Sequence, residues 1–369
     1  MAKTEPLYKL IYNSLKKQIL TGTLPYNNQL PSEKKLADQF KVSRITSKRA
    51  LNDLAEDGYI RRFPGKGSFV IFKDLPRQRP YTISLLLPFF KNAGLEQYVQ
   101  GISDYLKPTP FQLVIHSTQD DPDKQRQLIQ SLSKETSDGV ILYPCFPASL
   151  IDLVFNLVLD DFPIVLLDKE LIDLPIPVVS SANFQGGYEA TLHAIKQGHK
   201  NILFFSLASY LENSAVKNRY LGYLKALHEH QIQPALHLQQ SDYPSNMDQN
   251  HLLQSFLEQT KKQGCTCIIV EHDILALELI STAAEMSWDI PRDMSFIGFD
   301  DLSLAHMITP KLTTVKQNFY QIGYAAAEKM LALITDPVKN ESIVSIEIPI
   351  ELKIRNSVQF IEHKKGADN

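Results

Sequence analysis

Apolar residues at Leu7, Leu10, Ile11, Leu15 and Ile19 recur at helical spacing and predict a first helix, with Pro6 suited to its first turn and Gly22 to its C-terminal cap. Leu36, Ala37 and Phe40 predict a short second helix opened by Ser32 as N-cap with Glu33 behind it. A tight turn at Lys41-Val42 leads to a third helix capped by Ser43, with Ile45, Ala50, Leu51 and Leu54 on its inner side and Gly58 at its end. Residues 59–63 and 68–72 read as strands joined by Pro64-Gly65-Lys66-Gly67. Two helices across a short turn followed by a glycine-tipped hairpin predict a winged helix-turn-helix over residues 1–72.

Beyond it, Lys73 to Pro80 carries charge, two prolines and no periodicity, and reads as a linker. The pattern then alternates. Strand-like runs at 82–87, 112–115, 139–143, 164–167, 202–205, 267–270 and 295–299 are separated by amphipathic helical segments such as 95–106, 124–135, 188–197, 216–229, 252–262 and 274–286. Strands alternating with helices imply parallel sheets covered on both faces, and so long a stretch is too much for one such sheet. The expected α/β body, residues 81–363, therefore has two lobes, about 81–181 with 318–338 and about 182–317 with 339–355.

Composition narrows the class. With 369 residues, 44% hydrophobic and 21% charged, the chain is ordinary for a soluble globular protein; it has no apolar run long enough for a membrane helix and no signal-peptide core at its start, so a cytoplasmic location is expected. Three cysteines, Cys145, Cys265 and Cys267, fit a reducing compartment and read as structural thiols, because further metal ligands at suitable spacing are missing. The ten histidines are scattered. No dinucleotide fingerprint, P-loop, nucleophile elbow or zinc-protease motif occurs, which speaks against an enzyme, and no cofactor is expected.

The net charge of −3 conceals an asymmetry: residues 1–80 hold 16 Lys and Arg against 7 Asp and Glu, net +9, and the remainder 22 against 34, net −12. A basic head on an acidic body implies a polyanionic partner for the head. Lys34, Lys35, Lys41, Arg44, Lys48 and Arg49 cluster in the second and third helices, and Arg61, Arg62 and Lys66 charge the wing. Arg44 and Lys48, four apart, share a helix face; Arg44 is suited to bidentate contact with guanine, and Ser43, Thr46 and Ser47 are short donors for phosphates or bases. The runs Pro6-Leu7-Tyr8, Leu30-Pro31-Ser32-Glu33, Val42-Ser43-Arg44-Ile45-Thr46, Arg49-Ala50-Leu51, Gly58-Tyr59-Ile60 and Gly65-Lys66-Gly67-Ser68-Phe69-Val70 resemble the GntR family of winged-helix regulators across the whole head. The resemblance implies DNA contacts at Lys34, Arg44, Thr46, Lys48 and Gly65. Lys34 and Lys48 stand where that family usually has arginine, which exchanges a rigid fork for a point charge; phosphate contact survives that change.

In the body, Asp138-Gly139-Val140-Ile141-Leu142, Pro163-Ile164-Val165-Leu166-Leu167-Asp168, Gly198-His199-Lys200-Asn201-Ile202, Arg219-Tyr220-Leu221-Gly222-Tyr223, Ile297-Gly298-Phe299-Asp300-Asp301 and Leu312-Thr313-Thr314-Val315-Lys316-Gln317 resemble, in order and spacing, the LacI/GalR-type effector domain, itself similar to periplasmic sugar-binding proteins. The resemblance implies an effector site in a cleft between the lobes, at strand C-terminal ends, built from Asp168, Arg219, His272, Asp273, Asp300 and Gln317, with Tyr243 near a stacking position. It departs from the pattern at His272, where asparagine is usual, and at Ala182, where aspartate usually precedes Asn183. Structural roles compete with these: Asp168 as a loop cap, Arg219 paired with a neighbour such as Glu212, one of Asp300 and Asp301 as a turn residue, and Trp288 packing a helix end.

A GntR-type head on a LacI-type body is similar to the bacterial arabinose repressors. The expectation is a DNA-binding repressor of carbohydrate-utilisation genes, dimeric through its body, that grips double-stranded operator DNA and is released by a monosaccharide, L-arabinose being the first candidate. The alternative is a corepressor-dependent regulator sensing a purine or another small metabolite. A transport receptor is opposed by the basic head, and an enzyme with a DNA-binding appendage, such as an aminotransferase body, by the motifs.

Overall fold

The computed structural model describes residues 6–20, 23–63, 65–72, 81–88, 94–171, 174–207, 213–235, 248–335 and 344–362. Gly22, Pro64, the 73–80 segment, Glu212 and Tyr243 lie outside the described residues. The chain divides into two compact units, Met1–Pro80 and Tyr81–Asn369.

In the first unit, helices α1 (Leu7–Leu20), α2 (Glu33–Phe40) and α3 (Arg44–Glu56) are followed by the antiparallel pair β1 (Ile60–Phe63) and β2 (Gly67–Val70). Ile11, Leu15, Ile19, Leu36, Leu51, Leu54, Ile60 and Val70 share one core. The caps are where short polar residues put them: Ser32 Oγ accepts from Lys35 N at 3.3 Å and Ser43 Oγ from Thr46 N at 3.2 Å. One expectation fails. Ile45 is not on the inner side of α3; it is 80% exposed, because the second residue of that helix lies outside the stripe formed by Ala50, Leu51 and Leu54.

The second unit holds two sheets. The first is fully parallel, in the order β12-β7-β6-β5-β3-β4, from β3 (Thr82–Leu87), β4 (Gln112–Ser117), β5 (Gly139–Leu142), β6 (Ile164–Leu167), β7 (Val178–Ser181) and β12 (Ile346–Ile348). Helices α4 (Leu95–Leu106) and α11 (Phe319–Thr335) cover one face, and α5 (Pro122–Ser131) and α6 (Ile151–Leu159) the other. The second sheet runs β13-β11-β10-β9-β8, from β8 (Ile202–Phe205), β9 (Cys267–Val270), β10 (Ser295–Asp300), β11 (Thr313–Lys316) and the antiparallel edge β13 (Glu351–Lys353). Helices α7 (Asn183–Lys196) and α8 (Ser214–Glu229) lie on one side of it, and α9 (Gln249–Lys262) and α10 (Asp273–Glu285) on the other. The near-continuous burial of each central strand is the signature of a sheet covered on both faces.

The chain crosses between the sheets three times, after β7, after β11 and between β12 and β13. The sequence placed 339–355 wholly with the second lobe. Instead Ile346–Ile348 pairs in parallel with Val179–Ser181 of the first, and only Glu351–Lys353 joins the second. A three-residue strand is too short to show a period.

Helices α7 and α8 approach closely enough to need glycine on both sides. A Cβ on Gly187 would lie 1.9 Å from the Arg219 carbonyl oxygen, and one on Gly222 would lie 2.0 Å from that of Phe184. Gly222→Ala is therefore expected to destabilise the body by at least about 1–3 kcal/mol, read as a lowered urea midpoint with an unchanged slope. An unaltered midpoint would show that the helices separate freely.

Candidate functional site

The described part of the head presents a concave surface of ≈ 750 Å³ lined by residues of α2, α3 and the wing, among them Lys34, Arg44, Lys48, Asn52, Arg62 and Gly65. Lys34, Arg44 and Lys48 are exposed, and Gly65 turns the wing with φ +74°. Arg62 is held by Glu33 at 2.5 Å and by Asn52, so it braces the wing against α2 and α3. Gln29 Nε2 donates to the Lys66 carbonyl at 2.8 Å and fixes the wing tip, leaving the Lys66 side chain exposed. Ser43 and Thr46 share a 2.8 Å hydroxyl bond at the start of α3.

Of the expected DNA contacts, Ser47 is turned inward, and Arg49 is exposed but engaged within the head. Ser47 is 0% exposed, turned into the head with its hydroxyl toward the Ser43 carbonyl, and is structural. Arg49 does not line the concavity; its guanidinium lies 3.9 Å from the Tyr8 ring centroid and ties α3 to α1. Exposed Ile45 beside Arg44 was missed because an isoleucine at helical spacing reads as core.

In the body, the strand ends converge. Asp168 follows β6 in the left-handed region at φ +67°, only 8% exposed; its Oδ2 accepts from the Tyr143 hydroxyl at 3.4 Å and its Oδ1 is buried with no hydrogen-bond partner. Arg219 of α8, 5% exposed, donates from Nε to Asn183 Oδ1 at 2.8 Å and from Nη1 to the Glu271 carbonyl, and its guanidinium stacks 3.7 Å from the Phe299 centroid. Asp300 ends β10 at φ +124°, and its Oδ1 accepts from Gln317 Nε2 at 2.5 Å. Burial pushes its carboxyl up to about 7, against the pull of Arg219. The first lobe faces it with Tyr98 and Tyr143, whose hydroxyls burial and the carboxylates of Asp168 and Asp300 hold far above the usual range. Asp168, Arg219, Asp300 and two tyrosines are thus close enough to act on one another where the two lobes meet.

Two other expected residues have different work. Asp273 is 0% exposed, with Oδ2 accepting from Leu302 N at 2.9 Å and Oδ1 from Thr314 Oγ1 at 2.5 Å. It ties α10 to β11 and the loop after β10, so it is corrected from ligand to structural carboxylate; burial pushes it up to about 7. His272 caps α10, its Nδ1 accepting from Leu275 N at 3.1 Å, with Nε2 3.9 Å from Glu271. Gln317 has both ends of its amide bonded, to Ser181 and Asp300. Asp301, next to Asp300, pairs with Arg355 at 2.5 Å. Asn183, Tyr143 and Tyr98 were not among the expected site residues; for Asn183 the signals were its place after a strand, opening a helix, and the family pattern in which it follows position 182.

Among the described residues no group of three or more His, Cys, Asp or Glu could hold a metal, and no helix is long and apolar enough to cross a membrane. Cys265 and Cys267 are buried in the second lobe's cores, burial pushing the Cys265 thiol up to about 11. Trp288 packs beside that lobe's core, under Lys261.

The head, residues 7–70, matches the model of bacterial regulatory proteins of the gntR family, and residues 191–358 match that of the periplasmic binding protein-like domain. The HTH-type transcriptional repressor PurR of Actinobacillus pleuropneumoniae is 30% identical over 283 residues, spanning 75% of this chain and 81% of that protein. The chain belongs to the HTH-type transcriptional repressors, with a gntR-family head and a periplasmic binding protein-like body. It is a DNA-binding regulator and not an enzyme. Within that family, the arabinose metabolism transcriptional repressor of Geobacillus stearothermophilus is 25% identical over 366 residues, 97% of this chain and 99% of that one. A LacI family regulator from Enterococcus faecium, solved with bound ribose, has the fold of the body, with a TM-score of 0.62 at 23% identity over 76% of this chain and 100% of that one.

Proposed function

We propose that this regulator represses carbohydrate-utilisation genes and leaves its operator when a small neutral sugar enters the body cleft. The observation that carries the reading is the buried, unpartnered Asp168 Oδ1, in a neighbourhood that also holds Arg219, Asp300 and two tyrosines. A buried carboxylate oxygen without a donor is costly, and a sugar hydroxyl is a donor that relieves the cost while its ring C–H faces meet aromatic rings. The acids and the arginine suit a polyol. The relatives named as arabinose repressors make L-arabinose the first candidate.

In this reading Lys34, Ser43, Arg44, Thr46, Lys48, Gly65 and Lys66 contact DNA, and Asp168, Arg219 and Asp300 contact the sugar with His272 at the rim. Two chains pair through their bodies, since one head reads too few bases, and the 73–80 linker passes lobe closure to the paired heads in the cytoplasm. The switch is the difference in sugar affinity between DNA-competent and DNA-released forms, typically ~1–3 kcal/mol. Gel shifts with DNA from upstream of the protein's own gene test it: L-arabinose is expected to release the complex. Binding that persists under a panel of pentoses and hexoses, or that tightens with a nucleobase, would overturn the inducer reading.

A further inference from the structure

Gln317 sits where the chain leaves β11 for α11 and so crosses from one lobe to the other. It is 5% exposed, and its carboxamide touches both lobes. Ser181 Oγ, at the end of β7 and 1% exposed, donates to Gln317 Oε1 at 2.6 Å, and Gln317 Nε2 donates to Asp300 Oδ1 at 2.5 Å. The NH2 end faces Asp300, as an ionised carboxylate requires, and the oxygen faces Ser181, whose hydroxyl can donate. Each end of the amide thus has one partner, on opposite lobes.

We propose that Gln317 is a positioning residue: anchored by Ser181, it donates to Asp300 and keeps that carboxylate charged and fixed at the joint between the lobes. The proposal rests on the reading of the cleft as the effector site. The groups around Asp300 make its charge state sensitive. Arg219 from α8 and His272 from the cap of α10 favour the carboxylate, Asp273 from α10 opposes it, and Tyr98 and Tyr143 face it from the first lobe. Asp301 is taken up by Arg355 and His306. Burial is the largest influence and brings Asp300 to about 7; the Gln317 donor acts in the opposite sense. A polyol that donates to Asp300 requires it ionised, so effector binding releases a proton below that pH. Affinity is then lost as the pH falls through about 7 and is fully present above it.

Two measurements on the full chain test this. The first needs no ligand: aspartate carboxyl carbons are labelled with carbon-13 and titrated by NMR, with Asp300→Asn identifying the resonance and separating it from Asp273. Asp300 is expected to titrate near neutrality, and Gln317→Met, which keeps the side-chain length and removes the donor, to move its midpoint to higher pH. Ser181→Ala moves it the same way by less. An unmoved midpoint in both variants overturns the proposal. The second uses L-arabinose as probe. Wild-type affinity is expected to rise about tenfold between pH 6 and pH 8, as for a group titrating near 7, and the Gln317→Met curve to be displaced to higher pH. A loss equal at every pH shows a packing role only and also overturns the proposal. Failure of the wild type to bind L-arabinose or any other sugar strikes the sugar reading and leaves the carbon-13 result standing on its own.

Discussion

Arg219→Ala is expected to leave operator binding within about twofold of wild type and to weaken the effector by about a hundredfold or more, so that no sugar concentration that releases the wild type releases the variant. The magnitude follows from the setting. Removing one member of a buried, hydrogen-bonded charged group costs roughly 2–5 kcal/mol, much of it from partners left unsatisfied. Here those partners are Asn183 Oδ1 and the Glu271 carbonyl, and the Phe299 ring loses the guanidinium stacked on it. The cleft also loses the cation that opposes burial at Asp300, so its carboxyl moves further toward the neutral form, adding to the loss near neutral pH. DNA affinity should hold because Arg219 belongs to the body and not to the basic head. Asn183→Ala, which removes one of Arg219's acceptors and leaves the guanidinium in place, should weaken the effector less. Gel shifts against sugar titrations, with calorimetry of sugar binding, check both. Release of Arg219→Ala from operator at wild-type sugar levels would remove Arg219 from the site.

The sequence carried the architecture because the elements that build it are strongly periodic. The 95–106 helix and the strands at 82–87, 164–167, 202–205 and 267–270 appear with those bounds, since a run of four to six apolar residues between turns has few other ways to be buried on both faces. The edge elements escaped: Ile346–Ile348 and Glu351–Lys353 are three residues each, and their sheet membership is decided by a crossover rather than by a pattern. At the sites, residue type was legible and direction was not. Asp168, Arg219 and Asp300 lie near one another where the lobes meet. Asp273 is chemically as good a ligand as Asp300, yet its two oxygens are turned to Leu302 and Thr314. Ser47 and Ile45 are two residues apart on one helix, and the polar one is inside while the apolar one is outside. Polarity predicts burial only on average. A site is where the average is most readily violated.

That inversion on α3 sets the terms of the second large effect. Arg44→Ala is expected to lower affinity for the cognate operator by roughly 1–3 kcal/mol and to flatten base preference at one position of each half-site, because an exposed arginine at the first turn of a helix beside the head's concave surface can fork onto a guanine edge. Lys34→Ala, a point charge at the start of α2, should instead weaken cognate and random DNA alike and reduce the slope of log affinity against log salt by about one. Ile45→Ala should cost less than Arg44→Ala and show itself as a weakened preference for thymine, whose methyl group is the natural contact for an exposed isoleucine in the major groove. Ser47→Ala should leave DNA affinity unchanged, its hydroxyl being turned toward the Ser43 carbonyl. Binding to a randomised operator library at two salt concentrations separates the four. If Arg44→Ala lost affinity uniformly over all sequences, with the salt slope falling as for Lys34, then Arg44 would be a phosphate contact and sequence reading would have to come from Thr46, Lys48 and the wing, where lysine in place of a forked guanidinium offers less discrimination.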